Sequence, residues 1–585
     1  MQTLITDVAI IGAGPAGLML AIELGCRGVP CVLLDQNATA PTTPKANATS
    51  ARTMEHYRRR GFSHTVRQAG LAADHPQDVV YLTRLNGHEL ARFRIPSRTQ
   101  AAAQSSFGDY GDTAWPTPEL PHRAQQFYIE AILREQVARY PSVTTRYGWR
   151  VDAVSQSPEV AMLAATQVEG DATLRVNARY LVGCDGPRSL VRKAIGAQYE
   201  GASHEQREFF GGQMLGVQFR SRDFYQRLQH GPLKQRAWMM WLVNPVQRAI
   251  LVTINGVDQF AFGVQLKPGQ DAASVDVGQV VRALAGVEPG GPLPFEFDVN
   301  SQNVWTAGYT LVADNYRQNR FFIAGDAAHL FTPTGGMGYN TAVDDAVNLG
   351  WKLAAKLQGW ASDALLQSYF TERHPIAVRN TRFARAMADS AGKTPMPAEL
   401  EADDAAGRGA RAAVGEAFLK HGAAEFNIPG LQLGLRYQSD VIAVEAGEPP
   451  IDTPNHLQPS AFAGCRAPHI AVAGSISNPG SGSNSGATLG EALFDRFGPD
   501  FTLLVLVPGI DTGAWAAAAK QLAVPLAVLT HADAAARALY GADLALIRPD
   551  HHVAWRGYGR ANSVSAAHDV LAMATGRVAI ARASP

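Results

Sequence analysis

The hydrophobic pattern near the start of the chain changes between strand-like and helix-like segments. Residues 8–11 form a continuous apolar run, residues 18–24 have helical composition, and residues 31–34 form a second apolar run. Continuous apolar runs of this length are typical of parallel strands buried on both faces. Gly28 favours a helix stop between the last two segments. The pattern predicts a strand–helix–strand unit over residues 7–35.

Three later stretches complete the predicted architecture. Residues 211–264 contain alternating and aromatic-rich runs that predict sheet strands. Residues 321–324 predict a buried strand, which a glycine-rich loop and a helix with apolar positions at helical spacing follow. Beyond residue 395 alanine becomes more frequent, and strand-like runs alternate with short helices. The predicted fold class is α/β with α+β elements, divided into a Rossmann-like domain, a mixed-sheet domain and a small C-terminal α/β domain.

Composition limits the classes of function. The chain has 585 residues, which favours two or three domains, and its 46% hydrophobic and 18% charged residues are typical of a globular protein. Lys plus Arg and Asp plus Glu each number 52, so no net charge attracts nucleic acid or an anionic membrane. No apolar run has the length of a membrane helix, and Asp7 and the glycines interrupt the apolar N-terminus. The four cysteines form no CxxC pair, so we expect no metal site and a cytoplasmic protein.

The first glycine cluster predicts a dinucleotide site. Gly12, Gly14 and Gly17 form a complete GxGxxG between the first strand and helix, and Asp35 ends the second strand. In such a motif the first glycine permits a tight turn, the second admits the pyrophosphate, and the third allows close packing of the helix. An acid about 20 residues further on binds a ribose. Glycines also mark ordinary turns, and the motif alone leaves FAD and NAD open.

Two later motifs favour FAD. Cys184-Asp185-Gly186 ends a short strand, although a plain Asp-Gly turn would look the same. Asp326 ends the strand at residues 321–324, where its carboxylate could accept hydrogen bonds from a sugar-alcohol chain. The loop at residues 334–340 would let a ligand approach the backbone closely, and the next helix would direct its N-terminus at that ligand.

Together these motifs resemble those of the single-component FAD-dependent aromatic hydroxylases. The resemblance spans most of residues 3–390 and includes GDAAH, P-x-GG-x-G-x-N and DA-x-NL-x-WKL in that order, together with an Arg-Thr-Met-Glu stretch at residues 52–55. The C-terminal part is similar to the thioredoxin-like tail of the phenol and dichlorophenol hydroxylase branch. Since no cysteine follows Cys465, that tail cannot exchange dithiols, and we expect it to serve packing or a homodimer.

The resemblance implies a domain division and a set of cofactor contacts. The FAD-binding domain would comprise residues 1–75, 113–190 and 296–395, the substrate-binding domain residues 76–112 and 191–295, and a linker with the thioredoxin-like domain residues 396–585. The adenosine and pyrophosphate contacts would be Gly12, Gly14, Ala16, Gly17 and Asp35. The contacts nearer the ring would be Arg52 and Gln126 at the phosphate and ribityl region, Asp185, Asp326 at the ribityl chain, Pro333 at the reacting face, and Gly336, Gly338 and Asn340 at the pyrimidine edge.

The resemblance also implies a reaction. NADPH or NADH would reduce FAD, O₂ would give a flavin C4a-hydroperoxide, and one oxygen atom would pass to a phenolic ring. A polyketide-like or fused-ring substrate is an alternative, and so is a flavin-binding protein without turnover. The partner expected is therefore a small aromatic molecule.

The substrate side is less specific. Trp238 and Met240, with their neighbours Met239 and Trp241, could line an aromatic pocket, although alternation turns about half of them elsewhere. Relatives that act on simple phenols often carry a histidine before the Arg-Thr-Met-Glu stretch, and residues 44–47 contain none. Tyr225, Asp109 or a backbone carbonyl could deprotonate the substrate, and the sequence does not rank them.

Three residues in and after the GDAAH motif have structural explanations that require no part in catalysis. His329 is expected to be a structural partner within the turn rather than a base. Asp344 and Asp345 could be acids that stabilise a helix N-terminus.

Overall fold

A computed structural model describes residues 2–103, 115–203, 207, 209–229, 233–472, 491–559 and 563–577. Asp109 lies outside these ranges, and so do residues 474–486, whose glycine- and serine-rich composition predicts a flexible loop.

The described strands, in chain order, are β1 (Gln2–Ile11), β2 (Cys31–Asp35), β3 (Val79–Leu82), β4 (Glu89–Phe93), β5 (Val143–Tyr147), β6 (Trp149–Gln156), β7 (Ala161–Gln167), β8 (Thr173–Gly183), β9 (Tyr199–Ala202), β10 (Gln213–Arg220), β11 (Met239–Val243), β12 (Arg248–Thr253), β13 (Gln259–Gln265), β14 (Asp298–Thr306), β15 (Thr310–Ala313), β16 (Arg317–Gln318), β17 (Phe321–Ile323), β18 (His329–Leu330), β19 (Phe501–Val505), β20 (Leu526–Thr530), β21 (Leu544–Ile547) and β22 (Val553–Gly557).

The described α-helices are α1 (Pro15–Gly25), α2 (Ala51–Arg59), α3 (Ser63–Gln68), α4 (Arg98–Ala103), α5 (Gln126–Val137), α6 (Leu190–Ala194), α7 (Phe224–Leu228), α8 (Val277–Ala285), α9 (Met337–Leu357), α10 (Asp363–Lys393), α11 (Ala405–Phe426), α12 (Pro429–Leu433), α13 (Gly513–Gln521), α14 (Ala534–Tyr540) and α15 (Val564–Ala574). Within the described ranges, none combines the length and the apolar composition needed to cross a bilayer.

The first sheet carries the nucleotide motifs. Its main path runs β16-β17-β8-β1-β2-β5. The successive pairs from β17 to β5 are parallel, whereas β16 is antiparallel to β17 and β7 is antiparallel to β8. The inner part of β1 is buried on both faces, which explains its continuous apolar run. Because parallel strands end at the same edge, the turns after β1, β2, β8 and β17 meet there. This edge therefore brings together the three motifs that the sequence separates.

The second sheet runs β14-β10-β13-β12-β11-β3-β4 and is antiparallel except for β11 and β3. It confirms the predicted mixed sheet, but the strands that form it do not all come from the expected substrate-binding domain. β14 pairs with β10, although residues 296–395 were assigned to the FAD-binding domain. β9, from the expected substrate-binding segment, instead pairs with β15 near the first sheet. The domain to which a strand belongs depends on the strands with which it pairs, and local sequence patterns do not show that pairing.

The C-terminal domain is a four-stranded mixed sheet, β20-β19-β21-β22, in which only β19 and β20 are parallel. Its core is continuous with the ends of α9 and α10, where Trp351 packs edge-on against Phe501 with ring centres 5.9 Å apart. A buried ion pair adds to this contact, because Arg548 donates to Glu372 of α10 at 2.8 and 2.9 Å. The domain thus packs on the helix that begins at the glycine-rich loop.

Candidate active site

The first glycine turn has one open position and two crowded ones. Gly12 has a φ of +101°, and a Cβ there would lie 2.2 Å from the carbonyl oxygen of Cys184. A Cβ on Gly17 would lie 1.9 Å from the carbonyl oxygen of Gly12, whereas one on Gly14 would meet no atom within 4 Å. Gly12 and Gly17 therefore permit close packing, and Gly14 leaves open space at the N-terminus of α1. Ala16 is buried in the same turn, beside Gly325.

Asp35 lies beside this turn at the end of β2. Its Oδ2 accepts a hydrogen bond from the Ala13 N–H at 2.6 Å, and its Oδ1 accepts one from Asn37 N–H at 2.7 Å. The carboxylate fixes the turn that faces the open space. Its contact with a ribose stays a prediction.

The second glycine turn bends three times in the left-handed region. Gly325, Gly335 and Gly336 have φ values of +63°, +66° and +64°, and Gly336 is the N-cap of α9. The side chains of Asp326 and Pro333 are exposed at this edge of the sheet. Although Asp326 is exposed, the protein around its carboxylate removes part of its hydration and raises its pKa, while His329 and Lys45 act in the opposite direction. Lys45 belongs to the segment in which the sequence offered no base.

His329 supports this turn through a buried contact with Asp345. It is fully buried, and its Nε2 lies 2.6 Å from Oδ2 of Asp345, which also accepts the Gly325 N–H at 3.2 Å. The other oxygen of Asp345 accepts Nε of Arg373 at 2.7 Å. This arrangement agrees with a structural partner rather than a base.

The interpretation of Asp344 and Asp345 as helix N-terminal acids is wrong. α9 begins at Met337, so both residues lie beyond its first turn. Asp345 joins His329 to Arg373, and Asp344 lies 2.8 Å from Nε2 of His56. Sequence spacing alone placed the helix start too late.

Asn340 ties the start of α9 to the start of α2. Its Oδ1 accepts the Ser50 N–H and the Thr53 hydroxyl, each at 2.8 Å. Its Nδ2 donates to the carbonyl oxygens of Ala48 at 3.0 Å and Gly336 at 2.6 Å. These four bonds use the full capacity of the amide. Only the backbone of Asn340 therefore remains for the predicted flavin contact. The same holds for Gly338, where a Cβ would lie 3.5 Å from Phe331.

Three further predicted residues have internal partners. Oδ2 of Asp185 accepts the Leu190 N–H at 2.7 Å, while its buried Oδ1 has no hydrogen-bond partner among the described residues. Gln126 donates to Glu130 at 2.6 Å. Arg52 is buried, donates to Glu55 at 2.9 Å and reaches the carbonyl oxygen of Asp550 in the C-terminal domain. The guanidinium of Arg52 is therefore directed to the domain contact, and its phosphate contact stays a prediction.

The substrate candidates lie on opposite faces of the second sheet. Trp238 packs in an aromatic cluster on the face toward α11, with the Arg123 guanidinium 4.2 Å above its ring. Met240 and Tyr225 lie in the core on the other face. Tyr225 Oη donates to the carbonyl oxygen of Ala237 at 3.0 Å. Both Met240 and Tyr225 are buried in that core, and their contact with a substrate stays a prediction.

Sequence reasoning missed one residue at the second glycine turn. Glu425, near the end of α11, accepts the Gly335 N–H at 2.8 Å. It belongs to residues 396–585, which were assigned to the linker and C-terminal domain. Glu425 is one of two glutamates in an alanine-rich helix, and neither position gives a local signal of such a contact.

The geometry fits an extended dinucleotide. One edge of the sheet carries four suitable features. They are the open space at Gly14, Oδ1 of Asp185, which has no hydrogen-bond partner among the described residues, the exposed Asp326 and the turn before α9. The N-termini of α1 and α9 offer free N–H groups and positive dipole ends to a pyrophosphate and to an electron-rich ring edge. FAD, when bound, supplies the redox chemistry, and this chain supplies position and electrostatic stabilisation.

Residues 5–384 match the family described as FAD binding domain, and residues 461–578 match the family described as aromatic-ring hydroxylase, C-terminal. The chain belongs to the FAD-dependent aromatic-ring hydroxylases. FAD is therefore its cofactor, and the enzyme is a monooxygenase that uses O₂ and a reduced nicotinamide.

Similar proteins match nearly the whole chain. The FAD-dependent monooxygenase apdD of Emericella nidulans is 29% identical over 97% of this chain and 90% of its own length. The tetracenomycin B2 monooxygenase-dioxygenase of Streptomyces olivaceus is 30% identical over 97% of this chain and 98% of its own. The solved structure of the rebeccamycin biosynthetic enzyme RebC with reduced flavin has a TM-score of 0.83 and 30% identity, and the match covers 99% of this chain and 100% of that one.

Proposed function

We propose that this hydroxylase acts on a fused-ring, polyketide-like aromatic molecule that carries a phenolic hydroxyl. The observation that carries the proposal is an extended set of rings where α11 meets the second sheet, which we call the aromatic wall. It comprises Tyr81, Phe93, Phe209, Phe210, Trp238, Trp241, Phe418 and Phe426.

The aromatic wall suits a flat, extended ring system. Tyr81 stacks on Phe418 with ring centres 4.6 Å apart, and Trp241 lies 5.8 Å from Tyr81. Aromatic pairs in stacked and edge-on arrangements stabilise beyond their buried area. A single phenol ring would contact only a few of these eight rings. The likeness to an enzyme named for tetracenomycin B2 supports the larger substrate.

The test is oxidation of NADH and of NADPH by the FAD-loaded protein with three groups of compounds. These are single-ring phenols, hydroxylated naphthalenes and hydroxylated anthraquinones, with hydrogen peroxide and product mass measured in parallel. We expect a three-ring phenol to accelerate oxidation and to gain one oxygen atom with little peroxide. If single-ring phenols alone are hydroxylated, the fused-ring proposal is wrong.

A further inference from the structure

Three polar groups lie together at the aromatic wall: the hydroxyl of Tyr81, which belongs to the wall, and the side chains of His421 and Glu425. Tyr81 comes from β3, and His421 and Glu425 come from α11, one helical turn apart. All three are buried. A Cβ on Gly422 would lie 3.1 Å from Tyr81 Oη, so the hydroxyl lies directly over this turn of α11.

Glu425 connects this cluster to the second glycine turn, which we call the flavin turn because the flavin contact is predicted there. Its Oε1 accepts the Gly335 N–H at 2.8 Å, next to the N-cap of α9. Its Oε2 lies 2.8 Å from Nε2 of His421, but out of line for a hydrogen bond. His421 is held through Nδ1, which lies 3.2 Å from Ser390 Oγ of α10.

Three buried atoms of the cluster lack a hydrogen-bond partner among the described residues. They are Tyr81 Oη, Glu425 Oε2 and the neighbouring His421 Nε2. Native proteins pair nearly all buried polar atoms, so such exceptions need an explanation. A donor and an acceptor left unpaired within a set of aromatic rings match what one hydroxyl group on a bound aromatic ring would satisfy.

We propose that Glu425 and Tyr81 bind a ring hydroxyl of the substrate, with Glu425 as the group that accepts its proton. Tyr81 Oη donates a hydrogen bond to the substrate oxygen, and Glu425 Oε2 accepts the hydrogen bond from its O–H. When the proton passes to Oε2, the O–H electron pair stays on the substrate oxygen, which makes the ring more electron-rich for oxygen transfer. His421 positions the carboxylate. This inference rests on the proposed function, since it requires a phenolic substrate on the aromatic wall.

The contact also explains the geometry of the site. Since the same carboxylate bonds the flavin turn through Oε1, a hydroxyl held at Oε2 would be placed at a fixed distance from that turn. Precise placement of reacting groups is a large part of enzymatic rate enhancement.

The test compares FAD-loaded wild-type protein with Glu425→Gln, Tyr81→Phe and the control Glu416→Gln. Glu416 lies on the same helix, is exposed and pairs with Lys420 at 2.7 Å. The probes are 2-hydroxyanthraquinone and 2-methoxyanthraquinone, with Kd measured from flavin absorbance and Tm measured for each variant. We expect the wild type and Glu416→Gln to prefer the hydroxyl probe by ~10-fold or more, as expected for a hydrogen bond to a charged group. We expect Glu425→Gln to lose most of that preference and Tyr81→Phe to lose part of it.

A merely structural role gives a different result. If Glu425→Gln keeps the full preference, or weakens both probes equally, the inference is overturned while the proposed function stands. If Glu425→Gln does not fold, an unchanged preference in Tyr81→Phe overturns it. If the wild type binds neither probe and oxidises nicotinamide with no hydroxylated anthraquinone, the proposed function fails first.

Discussion

The cofactor edge, where the turns after β1, β2, β8 and β17 meet, and the aromatic wall, which is the proposed substrate site, are built in opposite ways. At the cofactor edge the chain removes side chains, and Gly14 has no atom within 4 Å of where a Cβ would stand. At the wall the chain adds side chains, and Tyr81, Trp241 and Phe418 are fully or nearly fully buried. A cofactor of constant shape can be held by backbone groups at fixed spacing, whereas a substrate that differs between relatives is selected by side chains. The difference explains why one site is readable from local motifs and the other is not.

The largest effect should come from the first glycine turn, where one substitution tests backbone packing and another tests FAD binding. Gly17→Ala places a Cβ 1.9 Å from the Gly12 carbonyl oxygen, and neither backbone can move away. We expect a loss of more than about 5 kcal/mol in the free energy of unfolding, which few single substitutions reach. Gly14→Ala should leave the Tm of the FAD-free protein unchanged and weaken FAD binding about 10- to 100-fold through lost charged hydrogen bonds.

Thermal denaturation without FAD and fluorescence titration with FAD measure the two effects separately. Equal losses of stability in both variants would show that Gly14 also serves packing. Unchanged FAD affinity in Gly14→Ala would mean that the open space at α1 does not hold the pyrophosphate.

Much of the cofactor edge could be predicted because its signals are local. Strand, glycines, helix and terminal acid follow each other within residues 7–35, and β1, α1 and β2 lie where the pattern predicts them. The domain division was harder, since β14 joins the second sheet through pairing with a strand about 80 residues earlier. Contacts of this kind depend on topology, and no short pattern encodes them.

The next largest effect tests how the C-terminal domain supports the cofactor edge. Arg548→Met removes the ion-pair partner of buried Asp550 and one of the two partners of buried Glu372, which keeps Lys352 at 2.7 Å. Breaking a buried ion pair from one side typically costs about 3–5 kcal/mol. Urea unfolding of Arg548→Met should show a loss of this order. Arg537→Met, at an exposed pair with Asp543, should change stability by less than about 1 kcal/mol. Similar small changes in both variants would contradict a supporting role.

The same pair predicts a pH dependence. Burial by itself would raise the pKa of Glu372, but Arg548 and Lys352 hold it well below its ordinary value of 4.5. A depressed folded-state pKa stabilises the protein above the unfolded-state value, and that stability is lost as the pH falls below it. The unfolding free energy of the wild type should therefore decrease below about pH 4.5 more steeply than that of Arg548→Met. Parallel curves would mean that Glu372 is not the titrating group.

Substitution of Arg52 distinguishes a contact with the cofactor phosphate from a contact with the C-terminal domain. The resemblance places it at the cofactor phosphate, whereas the structure directs it to Glu55 and Asp550. Arg52→Met should cost about 2 kcal/mol of stability through lost charge-assisted hydrogen bonds. FAD affinity should stay within about threefold, since no charged contact to the cofactor is lost. A drop of tenfold or more in FAD affinity at unchanged stability would restore the phosphate role.

Tyr225 gives the smallest expected effect and tests the limit of sequence reasoning on the substrate side. A tyrosine next to an aromatic-rich strand satisfies the chemical requirement for a base, but the sequence does not tell which face of the sheet it occupies. Its hydroxyl is committed to the Ala237 carbonyl in the core opposite the aromatic wall. Burial also raises the pKa of Tyr225 further from neutrality, so its hydroxyl stays protonated and little phenolate is present to accept a proton. Tyr225→Phe should therefore cost about 1 kcal/mol of stability and leave kcat/KM unchanged. A fall in kcat/KM of tenfold or more at unchanged stability would transfer the proton-accepting role from Glu425 to the other face of the sheet.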